Sequence, residues 1–162
     1  MTFYHMCHAY FSRIFLVLMT ISSLWGPVAA LGQSPDKATQ AIEWLTLEEA
    51  EARVAEEPRP LFIDVYTDWC GWCKVMDRET FADPEVVAYV RDNYYAVKLD
   101  AESNEQLTVK GRTATEAELS NSFNVRAFPT IVLMKADLNT VRAKPGFAGS
   151  RDFLKMLRRW KD

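Results

Sequence analysis

The chain of 162 residues is 49% apolar, 25% charged and 12% aromatic, the balance of an ordinary globular domain and not of a disordered or fibrous chain. Seven prolines and six glycines exclude collagen-like or low-complexity sequence. With 19 basic against 22 acidic residues, a net charge of −3, there is no overall basic field for nucleic acid.

Residues 1–30 differ from the rest: they hold no acidic residue and one arginine, Arg13, before an apolar run from Ile14 to Trp25. Gly26-Pro27 and the small residues Val28-Ala29-Ala30 follow, the pattern of a secretory signal peptide cut after Ala30. An uncleaved anchor is the alternative, because the stretch approaches the roughly 17 residues that span a bilayer. Either way the working domain is expected outside the cytoplasm. His5, His8 and Cys7 leave with the leader, so the remainder keeps Cys70 and Cys73 and no histidine. This excludes a Ser-His-Asp or Cys-His nucleophile and any His-ligated metal.

Residues 31–41 read as a flexible lead, and the domain is expected over 42–162. Thr46 and Glu49 form a capping-box signature, and Leu47, Ala50 and Val54 give the helix they open one apolar face, to about Glu57. Pro58 and Pro60 end it. Leu61 to Tyr66 is almost continuously apolar, as in a strand buried on both faces. A helix is predicted from Trp69 to about Thr80, and Asp83-Pro84-Glu85 opens another with Val86, Val87 and Val90 inward. Tyr94 to Asp100 reads as a strand, 101–115 as a long irregular loop, and Glu116 to Asn124 as a helix. Phe128 to Met134 is predicted as a buried strand with its proline at the start, and Asn139 to Lys144 as an edge strand. Ser150 is expected to cap a last helix carrying Phe153, Leu154, Leu157 and Trp160 inward. The order α-β-α-α-β-α-β-β-α implies a three-layer α/β domain with a mixed sheet and an antiparallel closing hairpin.

Trp69-Cys70-Gly71-Trp72-Cys73 follows a buried strand and opens a helix. A thiol at a helix N-terminus meets unpaired amide donors, which stabilise its thiolate; Cys70 holds that position. Cys73, one turn further on, is within disulfide reach and becomes the resolving thiol. One CxxC without histidine fills half a zinc shell, and Lys74 stands where c-type haem attachment needs histidine, so no metal and no cofactor are expected. A purely structural disulfide across so short a loop would stabilise little.

Asp64 to Lys74, Phe128-Pro129-Thr130 and Gly146 together resemble the thioredoxin superfamily. The stretch from Asp68 to Pro84 is similar to exported thioredoxin-like proteins of the DsbD C-terminal domain type. The resemblance implies a thioredoxin fold, three-layer α/β/α with a central mixed sheet. It implies a buried Asp64 that moves the proton of Cys73, with Lys98 as its partner, and a cis peptide before Pro129. Trp69, Gly71 and Trp72 would flank an exposed Cys70 sulfur, the Phe128 backbone would bind an extended substrate, and Gly146 would let its loop approach closely. By the same resemblance the partners are protein or peptide disulfides and a membrane electron donor of DsbD type, and the place is the bacterial periplasm. Gly71-Trp72 replaces the Gly-Pro of thioredoxin and Phe128 its usual isoleucine, so the direction of electron flow stays open. Net reduction is favoured; the alternatives are a disulfide oxidase or isomerase on the same residues, or a non-catalytic peptide-binding adaptor.

Overall fold

The computed structural model describes residues 41–161. The leader and nearly all of the lead expected before the domain lie outside them. Among the described residues no helix is long and apolar enough to cross a membrane.

Among the described residues seven strands and five helices follow one another. β1 (Trp44–Leu45) leads into α1 (Leu47–Glu56), whose N-cap Thr46 exchanges bonds with Glu49 in a full capping box. β2 (Leu61–Tyr66) is followed by α2 (Gly71–Glu79) and α3 (Pro84–Asn93), the latter capped by Asp83 with Pro84 at its first position. β3 (Tyr95–Asp100), a hairpin of β4 (Gln106–Val109) and β5 (Arg112–Thr115), and α4 (Glu116–Ser122) come next. β6 (Thr130–Met134), β7 (Val141–Pro145) and α5 (Ser150–Lys161) complete the domain. The main sheet has the order β1-β3-β2-β6-β7, with β1, β3 and β2 parallel, β6 antiparallel to β2, and β7 antiparallel to β6.

β2 sits at the centre of this sheet, and the alternation of its side chains divides the core in two. Phe62 points to a cluster with Met76 of α2, Val86 of α3 and Phe153 and Leu157 of α5. Leu61, Ile63 and Val65 point to the other, with Ala50 of α1, Leu107 of the hairpin and Val132 of β6. Phe62 is fully buried and meets Phe81, Phe153 and Trp44 ring to ring. Truncation to alanine there is expected to cost about 3–5 kcal/mol of stability, measurable by urea unfolding. Asp64 shares the Phe62 side of the strand, so its carboxylate is carried into the layer beneath α2.

Three expectations are corrected. Residues 101–115 are not an irregular loop: 106–115 form the β4–β5 hairpin, turned by Lys110 (φ 51°) and Gly111 (φ 69°). Two consecutive positive φ values make the tight turn whose twist matches paired strands, and glycine at the second position accepts this cheaply. Glu48 and Glu51 of α1 accept the amides of Thr108 and Lys110 at 3.0 and 2.8 Å, fixing the hairpin to the helix. Ser150 is the first residue of α5 and not its cap: the Gly149 carbonyl accepts the Phe153 amide, while the Ser150 hydroxyl donates to Glu79 at the end of α2. β6 starts at Thr130, after the proline and not at Phe128, because the ladder with β2 begins at Val65 opposite Thr130.

Candidate active site

After Tyr66 the chain turns through Thr67, whose carbonyl accepts the Cys70 amide at 3.1 Å. Cys70 is extended (φ −70°, ψ 102°) and is the N-cap of α2. Its Sγ accepts the amide of Cys73 at 3.1 Å, the role a serine or aspartate oxygen plays at other helix starts. A thiolate in that seat is stabilised by the same amide and by the positive end of the helix dipole. Cys73 is joined to Cys70 in a disulfide with Cα atoms 5.3 Å apart, so the structure shows the oxidised pair.

The Cys70 sulfur was expected to be open to solvent, but in this oxidised form the residue is only 4% exposed, because capping folds its side chain over the first turn. Exposure belongs to its neighbours instead: Trp69 is 66% and Trp72 62% exposed. Each indole leans on another aromatic residue. Trp69 meets Phe128 edge to face at 5.9 Å and donates its Nε1–H to both carboxylate oxygens of Glu102 at 3.0 Å. Trp72 packs on Phe147 at 5.5 Å. Gly71 has open space where a Cβ would stand, so neither packing nor backbone requires glycine there.

The Phe128–Pro129 peptide is cis, and Pro129 is buried beside the end of β2 from which the cysteine loop departs. The Pro129 carbonyl accepts the Gly146 amide at 2.8 Å. Close approach was expected to demand glycine at 146, but a Cβ there meets nothing within 4 Å. The backbone decides instead: φ is +94°, a conformation that glycine adopts without strain.

Beneath α2 lies a chain of charges. Asp64 is 1% exposed and stands opposite Lys98 in the adjoining parallel strand. Lys98 Nζ donates to Asp64 Oδ2 at 2.7 Å and to Asp77 Oδ1 at 2.5 Å, and lies over the rings of Trp44 and Tyr66 at 4.8 and 4.9 Å. The other oxygen, Asp64 Oδ1, is buried with no hydrogen-bond partner among the described residues. Burial pushes the Asp64 carboxyl above the usual carboxylate range, although Lys98 pulls it back. Burial works against the Lys98 charge too, but Asp64 and Asp77 outweigh it and raise the ammonium above its ordinary value. Asp77 is half exposed, so Lys98 links a buried carboxyl to one that meets water.

The residues expected from sequence therefore fall into three connected groups: the cysteine turn, the cis-proline and Gly146 loops, and Asp64 with Lys98. Sequence reasoning missed Asp77, Glu102 and Phe147. Asp77 had a signal, being four residues after Cys73 on the same helix. Glu102 and Phe147 had none, because their contacts with Trp69 and Trp72 exist only once separate loops converge.

The model of the thioredoxin-like domain matches residues 47–161. The chain belongs to the thioredoxin-like domain family. This thioredoxin-like chain is 28% identical over 161 residues to the thiol:disulfide interchange protein DsbD of Yersinia enterocolitica, which aligns over 93% of the chain and only 26% of DsbD. The chain thus spans about a quarter of that relative's length. Among solved structures, the DsbH oxidoreductase superposes with a TM-score of 0.62 at 21% identity, over 80% of this chain and 91% of that one. The oxidised C-terminal domain of DsbD from Neisseria meningitidis gives 0.54 at 21%, over 68% and 89%. These two likenesses establish the thioredoxin fold, a mixed five-stranded sheet covered by helices.

Proposed function

We propose that the domain is an extracytoplasmic thiol-disulfide oxidoreductase that reduces disulfides of proteins or peptides and is recharged by a membrane electron donor of DsbD type. The observation that carries this reading is the Cys70 sulfur seated on the first turn of α2 and bonded to Cys73, with the neighbouring indoles packed on Phe128 and Phe147, which adjoin cis-Pro129 and Gly146. Family membership and the named DsbD relative support it. The signal-like leader supports cleavage after Ala30 and a place in the periplasm, with anchoring by the same segment if it stays.

In the reduced protein the Cys70 thiolate attacks one sulfur of a substrate disulfide. The bond between the substrate sulfurs breaks, and the leaving sulfur departs as thiolate and takes a proton. The mixed disulfide is then attacked by Cys73 Sγ at the Cys70 sulfur, which expels the second substrate thiol and restores the Cys70–Cys73 disulfide. Substrate gains two electrons and two protons, and a donor dithiol must return two electrons to the domain. Cys73 has to lose its proton for the second step. A carboxyl with a raised pKa under the same helix, joined through Lys98 to half-exposed Asp77, offers a path for that proton to water. Phe128, Pro129, Gly146 and the two indoles form the surface over which a substrate segment would lie, and Gly71 leaves that surface open.

The test is the reduction potential of the Cys70/Cys73 pair, read by alkylation after equilibration in glutathione buffers. A value near −270 mV is expected for a reductant, and one near −120 mV would reverse the direction of electron flow. Cys73→Ser is expected to accumulate mixed disulfides through Cys70, which mass spectrometry identifies. An adaptor that only binds peptides would keep its partners in Cys70→Ser.

A further inference from the structure

Charge is divided unequally along this domain. Residues 41–134 carry nine basic and 18 acidic side chains, whereas 135–161 carry eight basic and two acidic. The basic part folds into β7 and α5, and between them runs a groove of about 460 Å³. Arg142 and Lys144 line it from β7 and Lys155 and Arg159 from α5, all four exposed, with Asp152 the one carboxylate among the described residues of its wall. Trp160 forms part of the wall, with the Arg142 guanidinium over its ring at 5.4 Å.

Two details bear on what this groove could hold. None of the four groove cations forms an ion pair with a described carboxylate, and Arg142 alone of them lies over a ring, that of Trp160. The groove also reaches the redox site, because Phe147 lines it and packs on Trp72 between the two cysteines. Four exposed cations in a groove that reaches the redox site through Phe147 fit an anionic occupant that arrives with the substrate.

We propose that the β7–α5 groove docks an acidic segment of the protein whose cysteine exchanges with Cys70, raising its rate of encounter with the site. The proposal rests on the redox reading above and names the chemistry of the partner. A short Asp/Glu-rich segment suits the site better than a long polyanion or an anionic membrane: the volume is that of a site for a few side chains, and the acidic excess of the rest of the domain repels an extended negative surface. Complementary charge at such a rim acts mainly on association rate.

The test uses the reduced protein and two synthetic disulfide peptides, one with a run of Asp and Glu beside its cysteine and one with Asn and Gln in their place. A small neutral disulfide, bis(2-hydroxyethyl) disulfide, is the control, and exchange is followed by stopped-flow tryptophan fluorescence. The acidic peptide is expected to react about tenfold faster than its amide twin at low salt. The gap should close in about 1 M salt, where screening acts over about 3 Å. The variant Lys144→Gln/Lys155→Gln/Arg159→Gln should lose the gap and keep the control rate. Equal rates for the two peptides, with the control disulfide still exchanged, overturn the docking proposal and leave the redox reading standing. Absence of exchange with every disulfide overturns the redox reading itself. If the peptides react alike but the wild type sediments with vesicles of anionic phospholipid and the variant does not, the groove serves a membrane and the proposal fails.

Discussion

The two sides of the active-site helix are built in opposite ways. Above it, Trp69 and Trp72 stand mostly in solvent, each steadied by one aromatic neighbour from another loop. Below it, Asp64 is almost completely enclosed and tied through Lys98 to Asp77. An exposed aromatic rim can select and position a partner without changing the reactivity of sulfur. A buried carboxyl has little to offer recognition but can control a proton. The comparison predicts that damage below the helix appears as a change in pH dependence, and damage above it as a change in partner affinity.

The sharpest way to break that division is Asp64→Asn, which keeps shape and an acceptor for Lys98 but removes the titrating group. Resolution of the mixed disulfide by Cys73 is expected to slow by about 10²-fold, within the range of a positioned acid or base. The rate should also lose its rise with pH, because the wild-type group becomes a base only above its raised pKa. An unchanged pH profile in quenched-flow trapping would place proton control elsewhere. Trp72→Ala comes next: about a tenfold rise in KM for a peptide disulfide, with kcat within about twofold, is the expectation for a lost rim contact of roughly 1.4 kcal/mol. A fall in kcat at constant KM would mean that the rim takes part in chemistry.

The same difference sets what could be read from sequence. β2, its continuation into the cysteine turn and the start of α2 were legible because each is local: an apolar run, an N-terminal sulfur, a spacing of one turn. The hairpin at 106–115 was not, because its only sequence mark is Lys110-Gly111 in a polar stretch, and the carboxylates that fix it come from α1, almost sixty residues earlier. In the site, Asp64 and Lys98 could be paired in advance only through family resemblance, whereas Asp77 enters through Lys98, which reaches it from a strand the helix merely covers. Glycine 146 shows the same limit in the backbone, since a positive φ leaves no mark other than glycine itself.

Stability offers a second view of the buried side. The folded-state pKa of Asp64 is raised, chiefly by burial, so the fold binds that proton more tightly than the unfolded chain does. Its contribution is therefore present in full below the ordinary aspartate range and is lost as pH rises through the raised value. In urea unfolding from pH 4 to 8, Asp64→Asn should flatten that decline and gain on the wild type towards neutral pH. A decline that is unchanged in the variant would assign it to other groups.

The smallest effect belongs to Asp77→Asn, at the outer end of the charge chain. Asp77 holds Lys98 from the solvent side, and its own negative charge helps to keep the Asp64 carboxyl protonated. Removing that charge should lower the Asp64 pKa and shift the pH profile of resolution towards acid, with the plateau rate reduced by only about two- to threefold, because water can replace a half-exposed carboxylate as proton acceptor. A loss as large as that of Asp64→Asn would make Asp77 an obligatory member of the proton path, and the boundary between a sealed floor and an open rim would then run through the last turn of α2.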